Sequence, residues 1–255
     1  MTAPDRRGRD VRNAELTPPK QPGHPAAPHL NWFGRIVIWR GVRWLVWVFF
    51  RVLYGLKPTK PVRLPDSGPI LFVCNHQSHY DPPAIGSLVY RRPCGYLARA
   101  SLFKHPAFAW LIRSLGAVPM DQSGRSRSAL RAAESVLGQG GSMLMFPECS
   151  RSPDGALQPF KPGFLLLLRR TKPQVIPVAI EGMFDVWPRH RSKPRWRARA
   201  TAVNVGDAVE AETLLAMEDG DALAWLRTRI EELRLEARED LRQRTNGRAP
   251  VPGLA

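Results

Sequence analysis

The sequence predicts an α/β protein, a mixed and largely parallel sheet flanked by helices, preceded by a helical element that associates with a membrane. Three observations carry this. Short apolar runs at residues 70–74, 142–146, 175–180 and 201–205 alternate with helix-length segments at 82–90, 125–137 and 162–170. Turn formers precede the first two runs, Ser67-Gly68-Pro69 and Gly140-Gly141. Polar, titratable residues crowd the positions just after the same two runs, where open α/β sheets place their ligands.

Residues 1–29 are rich in proline, arginine and other polar residues and read as a disordered tail. The chain opens with charges and its apolar content starts only near Leu30, so no secretory signal peptide is expected. Residues 30–58 read as an interfacial helix. Trp32, Trp39, Trp44, Trp47, Phe49 and Phe50 stand among Ile, Val and Leu, while Arg40, Arg43 and Arg51 form a stripe with Trp47. An arginine near a helix centre costs about 2.5–3.5 kcal/mol in a bilayer, whereas each Leu, Ile, Phe or Val returns about 0.3–0.6. A dozen apolar residues roughly balance two arginines and lose to three. The segment is therefore expected to lie in the interface, or else to pack on the protein's own core, rather than to span.

Residues 59–255 form the remaining domain. The apolar run 70–74 leads into Asn75-His76-Gln77-Ser78-His79-Tyr80-Asp81-Pro82. Asp81 before Pro82 reads as a helix N-cap with proline at the first helical position. His76 thus ends a strand and Asp81 opens a helix, so the loop can return a carboxylate to an imidazole. That pair has the parts of a general base. His76, His79 and Asp81 are also conceivable metal ligands, but the spacing lacks the usual signatures and no metal is expected.

The run 142–146 leads into Pro147-Glu148-Cys149-Ser150-Arg151-Ser152, then the turn Asp154-Gly155 and Phe160-Lys161-Pro162-Gly163. Arg151 supplies a planar fork for phosphate oxygens, Lys161 adds charge, and a helix starting at Pro162 adds partial positive charge. The final segment, 219–244, sets Leu223, Leu226, Ile230, Leu233 and Ala237 on one helical face.

Residues 30–206 hold 26 Lys+Arg against 8 Asp+Glu, whereas 207–255 hold 7 against 11. Positive charge is therefore concentrated on the part that carries the motifs, which suits anionic lipid or phosphorylated ligands. Arg189, Arg191, Lys193, Arg195, Arg197 and Arg199 alternate, so an extended segment would align them on one face. No zinc-finger or RNA-binding signature accompanies the charge, and nucleic acid is not an expected partner. Three scattered cysteines, Cys74, Cys94 and Cys149, suggest reduced thiols in a cytoplasmic setting.

In order and spacing, these blocks resemble the 1-acylglycerol-3-phosphate (glycerolipid) acyltransferase superfamily. His76–Asp81 matches its N-H-x4-D block, residues 146–152 its F-P-E-G-T-R-S block, and Val175-Ile176-Pro177-Val178 its V-I-P-V strand, across about residues 70–206. The resemblance implies an O-acyltransferase domain in which His76 and Asp81 are catalytic. A thioester, acyl-CoA or acyl-carrier protein, would be co-substrate, with no cofactor. The acceptor would be a lysophospholipid hydroxyl, most simply 1-acyl-sn-glycerol-3-phosphate. Glu148 and Ser150 would contact its polar groups, and Arg151 and Lys161 its phosphate, with the enzyme on the cytoplasmic face of a membrane. Two blocks depart from the pattern. Gln122 stands where a G-x-x-x-x-D-R block has arginine, so Arg125 or Arg127 substitutes for it or the acceptor is not a simple phosphomonoester. Cys149 and Ser150 replace glycine and threonine, and Cys149 is expected to be right-handed and partly buried, filling a small-residue position. Pairing of Cys149 with His76 as a nucleophile is the covalent alternative. A different lysolipid acceptor, or a catalytically silent membrane-binding protein of this fold, are the alternative functions.

Overall fold

The computed structural model describes residues 32–89, 91–120, 127–196 and 200–250, with side chains placed from Arg40 onward. The tail at 1–29, Gln122 and Arg125 lie outside the described residues. Helix α1 (Trp32–Tyr54) is followed by strands β1 (Lys57–Pro58) and β2 (Ile70–Cys74), helix α2 (Asp81–Leu88), strand β3 (Cys94–Arg99), a 3-10 turn (Ala100–Phe103) and helix α3 (Pro106–Ser114). Then come β4 (Ala117–Met120), α4 (Arg127–Gly138), β5 (Ser142–Met145), α5 (Gly163–Thr171), β6 (Gln174–Glu181), the short α6 (Met183–Val186), β7 (Ala202–Val205), the short α7 (Ala211–Leu215) and α8 (Asp219–Thr245).

The sheet order is β1-β7-β6-β2-β5-β3-β4. Every pairing is parallel except β6 with β7. The expected mixed, largely parallel sheet is therefore present. The central β2 is buried along its whole length, which explains its unbroken apolar run. Its alternate residues feed two cores. Ile70, Phe72 and Cys74 face α1, α2 and α3, while Leu71 and Val73 face α4, α5, α7 and α8.

Proline in the interior of β6 is tolerated because of its side. Val175 exchanges both backbone bonds with Val209, and Pro177 accepts from Gly206. Its missing N–H thus points toward the segment that leaves β7, not toward β2.

The last turns of α1 dock on the domain. Phe50, Tyr54 and Leu56 are fully buried, and each such side chain contributes about 1.5–3 kcal/mol of burial free energy. Tyr80, immediately before α2, packs edge-on against Phe50 at 5.3 Å and Trp187 at 4.9 Å. The expected Arg40, Arg43, Arg51 and Trp47 stripe is corrected at one member. Arg43 is buried, its guanidinium donating to the carbonyl of Gly86 in α2, so it is a docking residue and not a lipid-facing one. The solvent-facing side of α1 carries Trp44, Leu45 and Val52 together with Trp47 and Arg40. Among the described residues no helix is long and apolar enough to cross a membrane.

Candidate active site

Strands β2 and β5 run parallel and adjacent, so the loops leaving their C-terminal ends meet above the sheet. Asn75 closes β2 by bonding the backbone of Ile180 on β6 twice, Nδ2 donating to its carbonyl at 2.9 Å and Oδ1 accepting from its N–H at 2.8 Å. His76 is then pinned by the other loop. Its N–H donates to Glu148 Oε1 at 2.7 Å, and its carbonyl accepts from the Ser152 N–H at 2.7 Å. The imidazole stacks on Phe146 with ring centroids 4.0 Å apart and 17° between planes.

Asp81 completes the arrangement. Its Oδ2 lies 2.8 Å from His76 Nδ1 and accepts the N–H groups of Gln77 at 2.6 Å and Ser78 at 2.7 Å. A carboxylate only accepts, so Nδ1 carries a proton, and in the neutral ring it is Nε2 that presents its lone pair. The side chain is fully buried, and all three donors converge on the oxygen that faces the ring. The expected N-cap role is corrected. Asp81 is itself the first helical residue, Tyr80 occupies the cap position, and the carboxylate turns back to organise the loop before it.

The second loop brings the cations. Arg151 is half-buried, and its Nη1 is buried with no hydrogen-bond partner among the described residues. Burial lowers its pKa, Asp81 opposes that, and the neighbouring charges of Arg189 and Arg99 lower it further. His79, T-shaped against Trp187 at 5.1 Å, is pushed down to about 4 by desolvation and by Arg151, His76 and Arg99. It therefore stays neutral near pH 7. The centre thus combines an imidazole oriented by Asp81 with a guanidinium whose Nη1 is buried and unpartnered among the described residues.

Comparison with known proteins agrees with this constellation. A family model described as Acyltransferase matches residues 56–181, which contain both loops. The crystal structure of the 1-acyl-sn-glycerophosphate acyltransferase PlsC from Thermotoga maritima superposes with a TM-score of 0.67 at 26% identity, covering 79% of this chain and 81% of that one. The chain belongs to the glycerolipid acyltransferase superfamily. The chloroplastic 1-acyl-sn-glycerol-3-phosphate acyltransferase of Brassica napus is 31% identical over 49% of this chain and 37% of its own length. That of Arabidopsis thaliana is 28% identical over 65% of this chain and 47% of its own. The chain therefore spans under half the length of these two relatives. The Streptococcus pneumoniae enzyme of the same name is 25% identical over 71% of this chain and 65% of its own.

Against the superfamily pattern, three expectations change. Glu148 does not face a ligand: it is buried, its Oε1 holding the His76 N–H and its Oε2 the Gln158 N–H at 3.2 Å. It is a brace between loops, and burial holds its carboxyl up to about 8. Cys149 is not right-handed. It adopts φ +58° at the exposed tip, the left-handed conformation for which the superfamily's glycine is suited. Local desolvation of the sulfur and the Glu148 charge push its thiol up, with Lys161 opposing, the reverse of an activated cysteine nucleophile. The basic run at 189–196 forms turns and bends, not an extended strand, so its charges do not align on one face; Arg197 and Arg199 lie outside the described residues.

Ser150 and Lys161 sit exposed beside Arg151, and the Lys161 N–H fastens its segment to the Pro147 carbonyl at 2.8 Å. Sequence reasoning missed Gln77. Its Nε2 donates to the Gly155 carbonyl at 3.1 Å and to Glu181 Oε2 at 3.3 Å, while its Oε1 accepts from the Phe184 N–H. Glu181 in turn is gripped by Arg234 at 3.2 Å and Arg238 at 2.9 Å from α8. The C-terminal helix thereby reaches the histidine loop through one buried chain of polar contacts.

Proposed function

We propose that the chain transfers a fatty acyl group from acyl-CoA or acyl-carrier protein to the free hydroxyl of 1-acyl-sn-glycerol-3-phosphate, giving phosphatidic acid. The observation that carries the reading is the His76–Asp81 pair at 2.8 Å near a guanidinium nitrogen of Arg151 that is unpartnered among the described residues. His76 Nε2 removes the hydroxyl proton as the oxygen attacks the thioester carbonyl, so a C–O bond forms while the carbonyl electron pair moves to oxygen. Collapse of that intermediate breaks the C–S bond. The thiolate leaves and takes the proton from the imidazolium, which Asp81 has stabilised meanwhile. A free thiol has a pKa near 8.5, so its departure needs little acid assistance. General-base help of this kind accelerates a reaction by roughly 10²–10⁴-fold. No step calls for a metal or organic cofactor.

Arg151, with Lys161 and Ser150 at the exposed rim, holds the acceptor phosphate; Gln122 and Arg125 belong to the same binding role by sequence position. The lipid acceptor places the enzyme peripherally on a membrane, on its cytoplasmic face. The exposed Trp44, Leu45 and Val52 of α1 supply contact with acyl chains.

The test is thiol release from acyl-CoA, and in parallel from acyl-carrier protein, by the purified chain, scored with lysophosphatidate, glycerol-3-phosphate and uncharged or choline-bearing lysolipids. Release that requires lysophosphatidate, with phosphatidate found by mass, supports the reading. Release with a different lysolipid alone would reassign the acceptor. Absence of release with every acceptor and both donors would leave a silent lipid-binding protein.

A further inference from the structure

We infer that the 3-10 turn and helix α3, residues 100–114, seat the protein on an anionic lipid surface beside the mouth of the site. The outer face of this segment is unusually apolar for a solvated crossover. Leu102, Phe108 and Trp110 are 39%, 43% and 47% exposed, while Ala109 and Ile112 turn inward to the core. Aromatic and aliphatic groups of this size on one short element, with none of them covered, mark a contact surface.

Charge identifies the occupant. Between Asp81 and Asp121 the chain has five Lys and Arg residues and not one Asp or Glu. Three of the five, Arg99, Lys104 and Arg113, border the apolar face and are exposed. The Arg113 guanidinium lies over the Phe103 ring, 4.9 Å from its centroid, so positive charge sits directly against the apolar surface. Tryptophan with basic residues on an amphipathic element is the composition that favours the headgroup boundary of a bilayer.

Position supports the same occupant. Strand β3 runs parallel to β5, so the turn begins at the sheet end from which His76 and Arg151 also emerge. The charge of Arg99, the residue before the turn, is felt by both His79 and Arg151. Ile112 of α3 shares one core layer with Phe50 and Tyr54 of α1, so the two exposed apolar faces belong to the same side of the sheet. A protein resting on both would hold its basic rim against lipid headgroups and receive a lipid acceptor without drawing it fully into water. The usefulness of this seat rests on the acyl-transfer reading; its existence does not.

Sedimentation of the full chain with phosphatidylglycerol or phosphatidylcholine vesicles tests it. Two variants are compared with the parent, Phe108→Ser/Trp110→Ser and Lys104→Glu/Arg113→Glu, after thermal melts show that both keep the parent's stability. The parent is expected to prefer phosphatidylglycerol. The charge variant should bind about fivefold more weakly for each basic residue lost, and the apolar variant at least about tenfold more weakly. Turnover of a water-soluble short-chain lysophosphatidate should stay within about twofold of the parent in both. Parent-like vesicle binding by both variants would overturn the seat, as would unchanged vesicle affinity together with a loss confined to acyl-carrier-protein-dependent turnover, which would assign the patch to that acidic partner. If no acceptor supports thiol release yet the variants lose vesicle binding, the seat stands and the acyl-transfer reading falls.

Discussion

The histidine loop and the arginine loop lie within contact of each other but are built on opposite terms. Around His76 the ring and the backbone are held from several sides: Asp81 Oδ2 serves three donors, Asn75 bonds Ile180 twice, and Glu148 and Ser152 hold the histidine backbone, with Asp81 Oδ1 alone of these acceptors buried without a partner among the described residues. Around Arg151 the reverse holds, with a buried nitrogen unpartnered among the described residues and further positive charge from Arg99 and Arg189. A base must be oriented before its substrate arrives, since misplacement costs rate. A cation site must remain uncompensated until an anion arrives, because a resident carboxylate would compete for it. The folded protein therefore invests its hydrogen bonds in the first loop and leaves charge unspent in the second.

Four substitutions would break or sharpen that contrast. Asp81→Asn should act most strongly. The asparagine oxygen can still accept the Gln77 and Ser78 N–H groups, so the loop survives, but its amide no longer selects the productive tautomer; kcat is expected to fall about 10³-fold with near-normal stability. Arg151→Ala should instead raise KM for a phosphorylated acceptor about 10- to 100-fold, from the loss of one charge-assisted contact. Measuring the same variant with a monoacylglycerol acceptor, where no such loss is expected, isolates the phosphate.

Arg234→Met tests the remote support of the histidine loop. It removes one partner from a buried pair with Glu181 and should cost about 3 kcal/mol, seen as a melting temperature lower by roughly 6–12 °C. Glu148→Gln should give the smallest effect, visible only against pH. The carboxyl is held up to about 8 in the folded protein, above its ordinary 4.5, so between those values the folded state binds more protons than the unfolded one. Its contribution is fully present below about 4.5 and is lost as pH rises through 8, a fall of at most a few kcal/mol. Denaturant melts across that window should show the decline in the parent and a flatter profile in the glutamine variant.

Much of the sheet was legible because its central strands are buried on both faces and therefore carry unbroken apolar runs, as in Ile70–Cys74 and the interior, residues 175–180, of Gln174–Glu181. The edge was not. Strand β3 contains Gly95 and Ala98 and no β-branched residue, and β4 carries Pro119, which a strand tolerates at an edge. Helix α8 declared itself by its apolar face, yet the use of Arg234 did not, because its partner Glu181 is 53 residues away. The His76–Asp81 pair was legible as chemistry at short spacing. The tasks of Glu148 and Gln77 were hidden, since both bond backbone groups that only the folded loops bring close. The left-handed tip at Cys149 ran against its residue type, and the superfamily's glycine at that position was the one available sign of it.

The most direct test is the kcat of His76→Ala for acyl transfer from acyl-CoA to lysophosphatidate, measured beside the parent's vesicle binding and thermal melt. An oriented imidazole acting as the base predicts a fall of about 10²–10⁴-fold with binding and stability essentially intact. Turnover within a few-fold of the parent would show that another group takes the hydroxyl proton.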